Sequence, residues 1–312
     1  MSMIRTAFAV ALLAGVAATP ATADNYRLMT GPQGGVWVPL GGSLKNIWEK
    51  AIPGLSVQTL PGAGIANVRG VDEDKAEIGF GNSISTVDGV AGREPFPRPA
   101  ANVCQLASLY PQYFQVVVNA DSGISKLADL RGKSVAIQTR GNTAELITRQ
   151  LLETVGLAYK DIKPNFQASY TDAAGLLKDG HAQVFTLGTT IPASSVMDLA
   201  VSRSITVLDL KPHIEAMRKL NPGYYGIELP ANTYPGQTAA VTQIGYAAHL
   251  FVSCKLPEER VHRMVKAMVD ALPDLVAVNK AMQGLTPKDM AIDIGVKLHP
   301  GAQRFYREAG AL

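Results

Sequence analysis

The sequence of 312 residues is poor in cysteine, in aromatic residues and in charge of one sign. Two cysteines in so long a chain exclude a small domain held together by disulfides. The 29 Lys and Arg residues nearly balance the 26 Asp and Glu residues, and aromatic residues make up only 6%, so no nucleic-acid-binding surface is indicated. Because 47% of the residues are hydrophobic, the chain is expected to fold into one large or two medium-sized domains.

Residues 1–23 are predicted to form a secretory signal peptide. Arg5 is their only charge, and the apolar stretch Thr6–Ala18 is too short to cross a bilayer. The small residues Ala21–Ala23 that follow suit cleavage by signal peptidase. A buried N-terminal helix is the less favoured alternative. We therefore expect an exported protein that begins near Asp24 and carries no lipid anchor.

The two cysteines, Cys104 and Cys254, both lie in apolar, strand-like runs. Export would permit a disulfide between them, which requires Cα atoms within about 7 Å of each other. The alternative is that both are small, unpaired residues of the hydrophobic core. The sequence slightly favours the second interpretation.

Short β-branched runs alternate with amphipathic stretches along the chain. The clearest helix is predicted at Glu258–Leu272, where apolar residues recur at i, i+3 and i+4. Such alternation predicts an α/β fold with mostly parallel sheets flanked by helices. Strands are predicted at Asn25–Thr30, Leu55–Leu60, Glu77–Phe80, Gln115–Asn119, Ser134–Gln138 and Gln183–Leu187.

Glycine-containing loops follow several of these predicted strands, as at Gly31–Gly35, Pro61–Gly64 and Thr139–Thr143. In parallel sheets, ligands bind in the crevice beyond the carboxyl ends of the strands. The helix N-termini that follow such loops present free N–H groups and favour an anion. One such loop alone would be explained as a tight turn, but several together predict a shared cleft.

The chain offers little chemistry of its own. No pair of its five histidines has the i, i+4 spacing of a helical zinc site, and no Gly-x-Ser-x-Gly nucleophile motif is present. Gly62–Asn67 lacks the third glycine of a dinucleotide-binding loop. The sequence therefore predicts a binding protein with no catalytic residue, no metal and no cofactor.

Five stretches carry a resemblance to a known family. The most discriminating are Trp37–Gly41, Tyr234–Gln237 and His299–Gly301. Together the five stretches resemble the TAXI family, the solute-binding proteins of TRAP-type transporters, and the resemblance extends from about Asn25 to Leu312. The stretches are Thr30–Gly41, Ala107–Pro111, Ala120–Ile124 with Asp129–Ala136, Pro230–Gln237, and His299–Ala302 with Arg304–Glu308.

This resemblance implies a periplasmic binding protein of two α/β lobes that close on a ligand at a hinge. Lobe I would comprise residues 24–112 and 243–312, and lobe II residues 113–242, with hinge strands near 110–118 and 243–252. The expected ligand is a small organic acid or amino acid, such as a dicarboxylate or glutamate. The expected partners are the membrane subunits of a TRAP transporter, and the receptor itself is expected to be monomeric.

The sequence departs from the pattern of this family in two loops. Trp37-Val38 stands where the family often has a Tyr-Tyr pair, which makes the pocket wall more apolar. Arg140 opens the third loop and could clamp a carboxylate, or it could be a solvated loop arginine. Glutamate itself is therefore in doubt, whereas a small carboxylate is still expected.

The candidate ligand-binding residues have structural alternatives. Asn82, Thr143 and Thr189 could bond a ligand or cap a turn or helix, and Tyr110 could line the cleft or pack between the lobes. The full set is Gly35, Val36, Trp37, Gly64, Asn82, Tyr110, Arg140, Gly141, Asn142, Thr143, Gly188, Thr189 and Tyr225.

Three other functions are compatible with this sequence. The first is a receptor for another type of transporter, which would bind a tricarboxylate or a thiamine precursor. The second is an exported enzyme acting on a carboxylate, which would need a base and a nucleophile facing the cleft. The third is a surface interaction module, which would expose an apolar patch instead of closing over a cleft.

Overall fold

The computed structural model describes residues 24–312, so the predicted signal peptide lies outside the described residues. Ten strands within this range form one mixed sheet. They are β1 (Asp24–Met29), β2 (Leu55–Leu60), β3 (Ile78–Asn82), β4 (Val103–Asn119), β5 (Ser134–Gln138), β6 (Lys163–Gln167), β7 (Val184–Thr189), β8 (Ile205–Val207), β9 (Tyr225–Leu229) and β10 (Val241–Ser253).

The α-helices pack against this sheet, and none within residues 24–312 is long and apolar enough to cross a bilayer. The α-helices are α1 (Trp37–Ala51), α2 (Gly64–Asp72), α3 (Ser83–Ala91), α4 (Thr143–Glu153), α5 (Tyr170–Lys178), α6 (Ser194–Ser202), α7 (Ile214–Leu220), α8 (Glu258–Asp270), α9 (Leu272–Val278), α10 (Pro287–Met290) and α11 (Pro300–Glu308). The helix predicted at Glu258–Leu272 is α8 and ends two residues earlier than predicted.

The sheet has parallel flanks and an antiparallel centre. Its strand order is β2-β1-β3-β10-β4-β7-β5-β6, with β8 paired to β4 and β9 paired to β10. The outer pairs β1/β2, β1/β3, β5/β6 and β5/β7 are parallel, as predicted. The long strands β4 and β10 pair antiparallel with each other, from Phe114↔Ile244 to Val103↔Ser253. Both strands therefore run through both halves of the molecule, where the hinge strands were expected.

Two separate hydrophobic cores are built mostly from different segments of the chain. The largest core draws its residues from Tyr26–Tyr110 and Ala248–Tyr306. A second core is built almost entirely from Phe114–Tyr246, and Ile84 is its one member from outside that range. Lobe I denotes residues 24–112 with 243–312 and lobe II residues 113–242; these boundaries stay a prediction.

The two cysteines are bonded to each other. Cys104 at the start of β4 and Cys254 directly after β10 form a disulfide with a Cα–Cα distance of 5.1 Å. The sequence had favoured two unpaired core residues, and that interpretation is wrong. The antiparallel pairing of Cys104 with Val252 in the sheet brings the end of β10 beside the start of β4. Sequence spacing alone could not show this proximity.

Candidate functional site

A cavity lies where the loops after β1, β2, β3, β5 and β7 meet, and residues of both predicted lobes line it. These are the loops from which the sequence predicted a shared cleft. The cavity is lined by Gly31, Pro32, Gly35, Val36, Trp37, Gly64, Asn82, Gln112, Asn142, Ala144, Tyr170, Gly188, Thr189 and Tyr246.

Four helix N-termini converge on this cavity. Val36, Asn82 and Asn142 are the N-cap residues directly before α1, α3 and α4, and Gly64 is the first residue of α2. No side chain caps the N-terminus of α1, α2 or α3. In the first turns of α2 and α4, the N–H groups of Ala66 and Ala144 are already bonded to the Gly141 carbonyl and to Asn142 Oδ1. Each N-terminus contributes the positive end of a helix dipole. The cavity is therefore favourable for negative charge from both lobes.

The lining of the cavity contains no Lys, Arg, His, Asp or Glu residue. A ligand inside it would meet backbone dipoles and neutral polar groups instead of an ion pair. Oriented N–H groups can hold an anion without a cationic side chain, because their partial charges are fixed by the fold. By contrast, a bound cation would face the same dipoles with no carboxylate to neutralise it.

Amide side chains supply part of the polar lining. Gln112 Nε2 donates to Asn82 Oδ1 at 3.2 Å, and Gln112 Oε1 is buried with no hydrogen-bond partner among the described residues. Asn142 Oδ1 accepts the N–H of Ala144 at 2.8 Å and so caps α4. The buried, unpartnered Gln112 oxygen marks a place where a donor group of a ligand or a water would gain a hydrogen bond.

Two tyrosines, Tyr170 and Tyr246, line the cavity. The Tyr170 hydroxyl donates to the Gly188 carbonyl at 3.0 Å. Burial raises the pKa of Tyr170 to about 12 and raises the pKa of Tyr246 well above its usual value. Both hydroxyls therefore stay protonated near neutral pH. The Tyr170 proton is already donated to the Gly188 carbonyl, so of the two only the Tyr246 hydroxyl can donate to a ligand.

Glycine is required at two points of the cavity wall. A Cβ added at Gly188 would lie 2.1 Å from the Tyr246 hydroxyl oxygen. A Cβ added at Gly64 would lie 2.2 Å from Thr143 Oγ1, which belongs to the other lobe. Both distances are far shorter than a van der Waals contact, so a side chain at either position would displace the wall or separate the lobes.

The cavity is small. The centre of a water molecule could occupy about 20 Å³ of the cavity. One water molecule needs about 10–15 Å³ on this measure. The cavity therefore accommodates a group of a few heavy atoms, such as a single carboxylate.

The structure brings eight of the predicted site residues to the cavity lining. They are Gly35, Val36, Trp37, Gly64, Asn82, Asn142, Gly188 and Thr189.

Gly141 and Thr143 lie at the contact between the lobes, outside the cavity lining. The Gly141 carbonyl accepts the N–H of Ala66 at 3.0 Å, and Thr143 Oγ1 lies 3.1 Å from Ser85 Oγ. Both residues therefore join lobe II to lobe I in the closed arrangement.

Tyr110 and Tyr225 also lie outside the cavity lining. Tyr110 is buried in the largest hydrophobic core, with residues of the predicted lobe I around it, so it lies neither in the cavity lining nor between the lobes. Tyr225 is 39% exposed on β9, where its ring lies against the backbone of Gly245 on β10.

Arg140 is exposed and lines a separate surface pocket at the seam between the lobes. Arg69, Glu145 and Tyr159 line the same pocket. Glu145 is buried and accepts a hydrogen bond from the Tyr159 hydroxyl at 2.7 Å. The structure thus places Arg140 close to a buried carboxylate and does not bring it to the central cavity.

Sequence reasoning missed six residues of the lining: Gly31, Pro32, Gln112, Ala144, Tyr170 and Tyr246. Gln112 and Tyr246 are paired neighbours on β4 and β10, which were predicted as hinge strands, so an inward-facing polar residue there could have been a candidate. Tyr170 begins α5, and neither α5 nor the preceding strand β6 was predicted. No sequence signal pointed to Tyr170.

No group of three His, Cys, Asp or Glu residues within residues 24–312 is placed to hold a metal ion. The cavity lining also contains no pair of a base and a nucleophile of the kind that covalent catalysis uses. Its chemistry is limited to hydrogen bonding, dipoles and apolar contact.

Residues 28–310 match the sequence model of the NMT1-like family. The chain belongs to the NMT1-like family. Two solved structures share the fold of this NMT1-like protein. One is described as a periplasmic transporter, with 13% identity, coverage of 94% of each chain and a TM-score of 0.56. The other is the periplasmic binding protein BugD, with 12% identity, coverage of 91% of this chain and 93% of that chain, and a TM-score of 0.56.

These likenesses agree with the predicted fold class, an α/β periplasmic-binding-protein fold with sheets flanked by helices. At such low identity they show the fold alone.

Proposed function

We propose that this NMT1-like protein is an extracytoplasmic receptor that binds a small organic anion and delivers it to a membrane transporter. The observation that carries this proposal is the convergence of four helix N-termini, from both lobes, on one cavity without charged side chains. An anion bridging the lobes would gain from dipoles on both sides and would favour the closed arrangement. Binding would therefore be coupled to closure, which is what a transport receptor needs.

The proposed anion is a carboxylate, held without an ion pair. A carboxylate oxygen accepts two or more hydrogen bonds, and the cavity supplies N–H and O–H donors. Its small volume admits a group of this size. We infer that the receptor performs no reaction, because its lining residues bind and orient but offer no nucleophile with an adjacent base.

The transporter partner is proposed to be of the TRAP type, and the receptor is proposed to be a periplasmic monomer. The support is the resemblance of Trp37–Gly41, Tyr234–Gln237 and His299–Gly301 to the TAXI family. Within the structure, Tyr234 donates to Gln115 Oε1 and accepts the N–H of Ala193, so this motif stabilises lobe II. Delivery to another type of transporter is the alternative.

The test is ligand binding by calorimetry and thermal unfolding with carboxylates, amino acids, sugars and cations. A carboxylate at a hundred times its dissociation constant should stabilise the protein by about 2.7 kcal/mol. Stabilisation by sugars or cations, with none by any acid, would contradict the proposed ligand class.

A pair of glycine variants tests the site itself. Gly188→Ala places a methyl group against the Tyr246 hydroxyl and should abolish binding. Gly175→Ala on α5 meets no atom within 4 Å and should leave binding unchanged. Equal affinities in the two variants would show that the cavity is not the binding site.

A further inference from the structure

A groove continues from the cavity towards the surface. The two share the lining residues Gly35, Val36 and Thr189. Like the cavity, the groove is formed by both lobes, with Val38 and Pro39 on one side and Ile191 and Pro192 on the other. A ligand whose head occupies the cavity can therefore extend into the groove without leaving the cleft.

The groove differs from the cavity in chemistry. Its wall is formed largely by aliphatic side chains, including Val36, Val38, Ile191 and Val278. Val38 is 41% exposed and Val278 is 38% exposed, which are high values for large hydrophobic residues of this chain. The lining contains no Asp or Glu, and its only charged residue is Lys280. This surface favours an apolar occupant.

The groove also differs from the cavity in size. About 380 Å³ of the groove is open to the centre of a water-sized sphere, against about 20 Å³ of the cavity. A ligand that fills both spaces must have a compact polar head and a bulkier remainder. The apolar wall sets the chemistry of that remainder.

We propose that the ligand is a carboxylate with an apolar tail of several carbons, the head lying in the cavity and the tail in the groove. This inference rests on the proposed function, since it assumes that an acid binds in the cavity. It goes beyond that function by naming the second half of the ligand. The tail contacts both lobes, so it contributes to closure as well as to affinity.

The test is calorimetric titration of the protein with a series of unbranched acids, from acetate through butyrate to hexanoate. Burial of each added methylene should raise the affinity roughly fourfold until the groove is filled. Hexanoate should therefore bind far more tightly than acetate.

The matched variant is Val38→Thr combined with Val278→Thr, which keeps the shape of both side chains and replaces one methyl group of each with a hydroxyl. It should weaken hexanoate several-fold and leave acetate unchanged. Val201→Thr is the control, because Val201 is 82% exposed on α6 and does not line the groove.

The outcomes separate this inference from the proposed function. Binding of all acids with the same affinity, regardless of chain length, overturns the apolar tail and leaves the anion receptor intact. If glutarate binds more tightly than butyrate and Lys280→Gln removes this preference, the groove receives a second carboxylate. That result also overturns the apolar tail. Failure of every acid to bind overturns both proposals.

Discussion

At the scale of the residue, His249 shows how burial alone fixes a protonation state. His249 is fully buried on β10, and its Nε2 lies 2.7 Å from Thr86 Oγ1. Burial lowers the pKa of His249 to about 3, against about 6.5 for an exposed histidine. The folded protein therefore keeps this ring neutral at pH values where the unfolded chain takes up a proton.

The stability of the protein should consequently fall as the pH drops below about 6.5. Below about pH 6.5 His249 is protonated in the unfolded state, whereas in the folded state it stays neutral down to about pH 3. Over this range the free energy of unfolding decreases by about 1.4 kcal/mol per pH unit. Between pH 6.5 and pH 5 the expected loss from His249 is about 2 kcal/mol. Urea unfolding at several pH values measures it.

His249→Gln is the matched variant, because it keeps a polar group near Thr86 that does not titrate. The pKa values of His213 and His299 are also lowered by burial, but they contribute equally to both proteins. The difference in stability between the wild type and this variant should therefore shrink as the pH falls. A pH-independent difference would rule out the buried neutral ring.

At the level of secondary-structure elements, the Cys104–Cys254 disulfide links the start of β4 to the end of β10. It joins residues 150 positions apart, and closing so long a loop restricts the unfolded chain strongly. Cys104→Ala combined with Cys254→Ser should lower the free energy of unfolding by about 2–5 kcal/mol. Urea unfolding of the variant and the wild type under non-reducing conditions measures the loss.

Ligand binding should survive in the same double variant. Gln112 on β4 lines the cavity, and the strand rises about 3.3 Å per residue, so the disulfide lies about 25 Å from the cavity. A loss of binding at a temperature where the variant is folded would mean that the disulfide positions the site as well as stabilising the fold.

At the scale of the whole molecule, contacts away from the cavity hold the lobes together. Asn221 of lobe II is buried, and its Nδ2 donates to the Ile84 carbonyl at 3.3 Å and to Asp88 Oδ2 at 3.0 Å on α3 of lobe I. Its Oδ1 accepts the N–H of Gly223 at 2.9 Å, within lobe II. Asn221 therefore acts as a link between the lobes that does not touch the cavity.

Asn221→Asp should weaken ligand binding by roughly tenfold. It keeps the acceptor for the Gly223 N–H but places a second carboxylate against Asp88, so the closed arrangement loses a hydrogen bond and gains repulsion. A less populated closed state lowers the apparent affinity in proportion. Calorimetry gives the affinity, and small-angle X-ray scattering without ligand should show a larger radius of gyration.

Asn165→Ala is the control, since the Asn165 side chain contacts Gln167 within lobe II. It should change neither the affinity nor the radius of gyration. If Asn221→Asp behaves like this control, the link does not influence closure.

The fold class and more than half of the cavity lining could be predicted from the sequence. Alternating strand and helix patterns, with glycine loops at strand ends, place helix N-termini at one edge of a parallel sheet. This follows from local geometry, which a sequence carries. The same reasoning predicted Gly64, Asn82, Asn142 and Gly188 as ligand-binding residues, because each lies where a strand is followed by a loop or a helix.

Only the tertiary structure decided which of these groups face one another. No helix was predicted at α3, because its buried face includes small polar residues such as Ser85 and Thr86, which give a weak helical pattern. The disulfide and the contribution of Tyr246 both depend on the register of β4 against β10. Register and lobe closure are set by contacts between residues distant in sequence, which local patterns do not contain.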